Sequence, residues 1–163
     1  MTDLQLDDLA AQVGARLLEL GLMLATAESC TGGGVAAAVT AIAGSSGWFE
    51  RGFVTYSNAA KESMLGVAAA TLAAHGAVSE AVALEMAEGA LRYSGAQVAL
   101  SITGVAGPGG GSPEKPVGTV CFGWVRADGA RKVQTRLLPG DRGAVRAQSV
   151  VHALTQLLAI LEN

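Results

Sequence analysis

The stretch LMLATAESCTGGGVAAAVTAIAG, residues 22–44, restricts the fold more than any other part of the chain. LMLAT (22–26) is a short apolar run that reads as a buried strand. The alanine-rich run over 31–44 reads as a helix that opens at three consecutive glycines, Gly32, Gly33 and Gly34. A strand, a tight turn and a helix in that order form the unit of an α/β sheet, whose faces are covered by helices. In open sheets of this kind ligands sit outside the strand C-termini, where free backbone N–H groups meet an anion. The polar pair Glu28-Ser29 lies in that turn, and the question is whether the Ser29 hydroxyl does chemistry or only suits a turn.

The rest of the chain supports the same class. Leu6, Leu9, Val13, Leu17 and Leu20 recur at helical spacing, so residues 4–20 read as an amphipathic helix stopped by Gly21. WFERGFVTYS (48–57) reads as a second strand. Asn58 is expected to cap a two-turn helix over 59–65 that ends at Gly66. A short helix over 69–76 and a longer one over 80–94, capped by Ser79, precede a buried strand that begins in AQVALSITGVAG (96–107). The glycine- and proline-rich segment 104–118 reads as a substantial loop, and such loops in compact domains are functional or mobile. TVCFGWVRADGARKVQTRLLP (119–139) reads as a hairpin with a two-residue turn at Asp128-Gly129. Asp141 is expected to cap a final helix that runs to about residue 161. Residues 1–163 are thus expected to form one α/β domain with a mixed sheet.

Composition narrows the partners. With 11 Lys+Arg against 14 Asp+Glu, a net charge of −3 gives no global attraction to a polyanion, so no nucleic-acid partner is expected. A 50% hydrophobic chain with 15% charged residues suggests surface hidden in an oligomer. No apolar run is expected to reach the roughly 18 residues of a spanning helix, and no secretory leader is evident, so a cytoplasmic protein without a membrane partner is expected. Cys30 and Cys121 lack metal spacing and read as reduced, buried thiols. Two histidines and no clustered carboxylates leave no expected metal site.

Candidate chemistry collects in the glycine-rich turns at 28–34 and 103–112. Either one alone can equally be a sharp turn. Gly32 to Ala37 fits the G-x-G-x-x-A variant of the dinucleotide fingerprint, but the acidic residue expected about 20 positions later at a strand end is missing. No G-K-[ST] follows any glycine loop, which excludes a P-loop. His75 and His152 read as structural, so a Ser-His-Asp triad is poorly supported. A serine can instead be activated by a lysine kept neutral through partial burial. Lys61 falls in the first turn of its helix, where the macrodipole disfavours a cation, and Tyr56 just before it can relay or orient the proton. Lys61 can equally be a solvated surface residue, and nothing in the spacing brings it to Ser29.

TAESCTGG, AGSSGWFERGFVTYSNAAKESMLGV, HGAVSE, SITGVAGPGGGSPEKPVGTV and GDR run in order through most of residues 26–142. Together they resemble the CinA C-terminal domain family, whose stand-alone members are nicotinamide-nucleotide amidases. The resemblance implies a three-layer α/β/α sandwich, no cofactor or metal, and often a homodimer. The implied reaction, in pyridine-nucleotide recycling, is hydrolysis of the carboxamide of nicotinamide mononucleotide to nicotinate mononucleotide and ammonia. Ser29 then matches the nucleophile, Lys61 its base and Tyr56 the supporting tyrosine. Cys30, Thr31, Gly32 and Gly33 are expected to offer backbone N–H groups to the oxyanion. Thr103, Gly104, Gly107, Gly109 and Arg142 are expected to bind the substrate. Gly34 departs from relatives, which carry varied and often bulky residues there. Proteins of this type are also associated with competence and DNA damage. A non-catalytic nucleotide-binding or regulatory module, and an amidase of another small carboxamide, therefore stand as alternatives.

Overall fold

The computed structural model describes residues 2–162. The chain begins with α1 (Asp3–Leu20), entered through a capping box in which Thr2 and Gln5 satisfy each other's backbone N–H. Gly21, at φ 68°, ends it in the left-handed conformation that glycine adopts without strain. There follow β1 (Leu24–Glu28), α2 (Gly34–Thr40), a single 3-10 turn at Ser45–Gly47, β2 (Phe49–Val54), α3 (Asn58–Leu65), α4 (Ala69–His75) and α5 (Glu80–Arg92). The chain finishes with β3 (Val98–Gly104), β4 (Thr119–Arg126), β5 (Arg131–Leu137) and α6 (Arg142–Leu161).

The five strands form one mixed sheet in the order β2-β1-β3-β4-β5. β2, β1 and β3 are parallel, and β4 and β5 close the sheet as an antiparallel hairpin. Every residue of β1 is buried, as expected of a central parallel strand covered on both faces. Alternation along the strand splits its side chains between two cores. Leu24 packs with residues of α1, α2 and α6, whereas Ala25 and Ala27 pack with residues of α3 and α5 on the other face. The result is a three-layer α/β/α arrangement. β1 leads to β2 on one side and lies against β3 on the other, so the topological switch point falls at the C-terminal ends of β1 and β3.

Several local expectations are corrected. β1 runs over 24–28 rather than 22–26, because Thr26 and Glu28 are ladder partners of Leu100 and Ile102 despite their polarity. α2 begins at Gly34, three residues later than expected, since Gly32 and Gly33 take φ values of 59° and 102° that an α-helix does not allow. Ser57, not Asn58, caps α3: its side chain accepts the Ala60 N–H. The hairpin turn has three residues rather than two. Arg126 N–H donates to the Ala130 carbonyl at 3.0 Å, and Gly129, at φ 103°, forms the bulge that such loops use. By length and composition α6 is also long and apolar enough to span a bilayer, contrary to expectation. Its apolar stripe of Val145, Val150, Leu154, Leu157 and Leu161 is instead buried in the core against α1 and the sheet.

The placement of α3 depends on Gly89. A Cβ at this position of α5 would collide with the Leu65 carbonyl at the end of α3, so only glycine lets the two helices approach this closely. That approach fixes α3 beside the end of β1.

Candidate active site

Alternation along β1 ends with Glu28 on the α2 side and the next residue, Ser29, on the α3 side. Ser29 is therefore delivered to Lys61, which sits in the first turn of α3. Lys61 Nζ lies 3.0 Å from Ser29 Oγ and donates to it. The same nitrogen donates to the carbonyls of Thr55 at 3.2 Å and Tyr56 at 3.4 Å. Lys61 is only 2% exposed, and no carboxylate lies within ion-pair distance of it among the described residues. Burial therefore pushes its pKa below the ordinary lysine value, opposed only by a smaller Coulombic contribution from Cys30. The positive end of α3 acts in the same direction. This is a hydroxyl held against an amine that loses its proton more readily than a free lysine, which is what a serine nucleophile with a lysine base requires.

Cys30 borders the same cavity but does not compete as a nucleophile. Burial pushes its thiol up to about 11, so the thiolate is scarce near neutrality.

Glu28, left without a role by the sequence, is 1% exposed and fully engaged. Its carboxylate accepts from Thr31 Oγ1 at 2.7 Å, Val35 N–H at 2.8 Å and Ala36 N–H at 3.1 Å. It thus caps α2 from the strand below, satisfying two first-turn donors that no N-cap side chain reaches. The carboxylate occupies the place a dinucleotide pyrophosphate would take, which removes the G-x-G-x-x-A reading on physical grounds. A Cβ on Gly34 would meet Val150 Cγ2 at 3.0 Å, so a bulkier residue here must displace α6 slightly.

The second wall comes from the end of β3 and the loop after it. An open cavity of about 310 Å³ is bordered by Ser29, Cys30, Lys61, Tyr56, Thr103 and Arg142, and by the backbone of Gly104 to Gly107 and Gly109 to Gly111. Thr103 Oγ1 donates to the Ala77 carbonyl at 2.9 Å and keeps its lone pairs for a ligand. The N–H groups of Ala106, Gly107, Gly109, Gly110 and Gly111 donate to no protein group among the described residues. Arg142 donates to the Gly107 carbonyl at 2.8 Å and to the Tyr56 hydroxyl at 3.1 Å, so α6, the glycine loop and Tyr56 meet at the rim.

Of the residues singled out from the sequence, Ser29, Cys30, Tyr56, Lys61, Thr103, Gly104, Gly107, Gly109 and Arg142 all border this cavity. Thr31, Gly32 and Gly33 do not. The Thr31 side chain is turned inward to Glu28, and Gly32 and Gly33 pass toward Arg146 and Val54. Tyr56 touches the Ser29–Lys61 pair through its main-chain carbonyl, while its hydroxyl faces Arg142. Sequence reasoning missed the capping role of Glu28, although an acid at the end of a buried strand is itself a signal of a hidden partner. It also missed Arg146, whose helical surroundings carry no such signal.

The model of the CinA C-terminal domain family matches residues 6–161. The chain belongs to the CinA C-terminal domain family. It is 57% identical over 157 residues to the nicotinamide-nucleotide amidohydrolase PncC of Escherichia coli (strain K12), covering 96% of this chain and 95% of that protein. It is 52% identical to the protein of the same name from Enterobacter agglomerans over the whole of both chains. Among solved structures, the competence/damage inducible protein CihA from Agrobacterium tumefaciens superposes with a TM-score of 0.94 at 47% identity, covering 100% of this chain and 98% of that one. The α/β fold and mixed sheet are therefore those of the family.

Proposed function

We propose that this protein is a nicotinamide-nucleotide amidohydrolase that works through Ser29 and Lys61, releasing ammonia and nicotinate mononucleotide from nicotinamide mononucleotide. The observation that carries the reading is the 3.0 Å contact between Ser29 Oγ and a buried Lys61 that has no carboxylate partner among the described residues. The names of the relatives supply the substrate class. A neutral amine has two N–H donors and one lone pair. Once Lys61 gives up the proton it donates to Ser29 Oγ, the Thr55 and Tyr56 carbonyls take its two remaining donors, and its lone pair is free to accept from the Ser29 O–H.

In the forward step Lys61 accepts the hydroxyl proton as Ser29 Oγ bonds to the carboxamide carbon. The C–N bond then breaks, the lysine ammonium returns the proton to the departing nitrogen, and ammonia leaves an ester on Ser29. Water repeats the sequence with Lys61 again as base, and the ester C–O bond breaks to free the carboxylate and regenerate Ser29. The pyridinium charge of the substrate makes its carbonyl carbon more electrophilic throughout. The N–H groups of Ala106, Gly107 and Gly109 to Gly111, which donate to no protein group among the described residues, and the Arg142 guanidinium suit a phosphate, which accepts from several donors at once.

Two measurements test this. Comparing nicotinamide, its riboside and its mononucleotide is expected to give the highest kcat/KM for the mononucleotide, with Arg142→Ala removing most of that preference. Equal rates for all three would place the phosphate outside the site. In the pH profile of kcat/KM, activity rises with pH as Lys61 loses its proton. Because burial lowers the Lys61 pKa, this limb lies below the ordinary lysine value of about 10.4. A limb at the ordinary value would remove Lys61 as a base tuned by burial. Stability follows the same sign: between the lowered pKa and the unfolded one the unfolded chain binds more protons, so folding strengthens as pH rises through that window.

A further inference from the structure

We infer that Arg146 is a positioning residue for the reaction, acting through the backbone of the turn that carries Ser29. Arg146 lies on α6, one turn beyond Arg142. Its Nε donates to the Cys30 carbonyl at 3.1 Å and its Nη2 to the Thr31 carbonyl at 3.3 Å. Among the described residues it has no carboxylate partner within ion-pair distance. One guanidinium thus holds two successive carbonyls on the α6 side of the turn.

A trans peptide points its N–H opposite to its carbonyl, so the N–H groups joined to these carbonyls are turned away from α6. The second of them shows where they go: Gly32 N–H donates back to the Ser29 carbonyl at 3.0 Å. The first, Thr31 N–H, faces the same side and donates to no protein group among the described residues. Cys30 N–H also donates to no protein group among the described residues, but only Thr31 N–H shares a peptide with the Cys30 carbonyl that Arg146 holds. Arg146 acts on this donor in two ways. It fixes the orientation of the N–H, and a charged donor on the Cys30 carbonyl polarises the same peptide, making the N–H a stronger donor. Thr31 itself does not border the cavity, but its N–H belongs to the peptide it shares with Cys30, which does, and both effects strengthen that donor for charge that develops only when Ser29 attacks a carbonyl. Glu28 accepts from Thr31 Oγ1 in the same turn, so Thr31 is tied by a carboxylate at its side chain and by a guanidinium at its carbonyl. This role rests on the acyl-transfer reading of the Ser29–Lys61 pair.

The test is steady-state hydrolysis of nicotinamide mononucleotide by Arg146→Gln, Arg146→Lys and Ser29→Ala, each compared with wild type at matched folded fraction by thermal melting. Weakening a donor that acts in the transition state is expected to lower kcat of Arg146→Gln roughly 10- to 100-fold while KM stays within about three-fold. Arg146→Lys, which keeps the charge but not the fork, is expected to fall between Gln and wild type. In a Ser29→Ala background, adding Arg146→Gln is expected to leave mononucleotide binding by calorimetry unchanged. Wild-type kcat in Arg146→Gln, a loss confined to KM, or a kcat loss that tracks the unfolded fraction each overturns the inference while leaving the acyl-transfer reading standing. Full activity in Ser29→Ala overturns the acyl-transfer reading, and this inference with it.

Discussion

Ser29→Ala and Lys61→Met are each expected to abolish ammonia release from nicotinamide mononucleotide, with kcat falling by at least about 10³-fold. Ser29→Ala removes the one hydroxyl among the oxygens that Lys61 Nζ contacts in the described residues. Lys61→Met keeps a long apolar stem in a site almost closed to solvent, since Lys61 is 2% exposed, but it removes the lone pair. The losses are expected to be non-additive: the double variant should be no slower than either single one, because the two side chains act as a unit. Lys61→Met should also fold, since the hydrogen bonds it loses are worth about 1 kcal/mol each and the burial of an amine is relieved. Activity and stability therefore separate at this position, which thermal melting and a coupled ammonia assay read directly. Trapping an ester on Ser29 by rapid quench and mass spectrometry would distinguish covalent catalysis from a lysine-activated water. Turnover near the wild-type rate in either variant would rule out the pair.

Glu28→Ala is expected to have the largest effect on stability. It leaves Val35 N–H, Ala36 N–H and the Thr31 hydroxyl without their acceptor in a site where Glu28 itself is 1% exposed. Loss of charge-assisted bonds and of the helix cap together costs about 3 kcal/mol or more. For a domain of this size that is a fall in Tm of roughly 6–12 °C. Glu28→Gln should lose less, because one amide oxygen still accepts, but its NH₂ group then faces donors. Circular dichroism melts of the two variants give the comparison. An unchanged Tm in Glu28→Ala would show that the cap contributes nothing. Because Ser29 follows Glu28 directly, the remaining folded protein should also turn over more slowly.

The element order and the α/β class are legible along the chain, since caps and stops such as Gly21, Gly66, Ser79 and Asp141 act within a few residues of themselves. The boundaries that differ share one cause. β1 reads two residues early in the sequence because Thr26 and Glu28 look like turn residues until β3 pairs with them. Asn58 and Ser57 are equally good caps by type, and the entry angle of α3 selects Ser57. The hairpin at Asp128-Gly129 is legible, but the register of β4 on β5, which sets Val125 opposite Arg131, leaves a three-residue bulged turn instead of the two-residue one.

The site divides along the same line. Residue type and local spacing are enough to nominate Ser29 in a glycine turn after a strand and Lys61 in the first turn of a helix, because both signals are local in sequence. Their meeting is not encoded locally. Ser29 and Lys61 are 32 residues apart, and what brings them together is the alternation of a central strand combined with the close crossing of α3 and α5 at Gly89. Arg146 reaches Cys30 across a separation of 116 residues. Such contacts depend on which faces of distant elements are buried against each other, and burial is a property of the packed layers, not of any stretch of the chain.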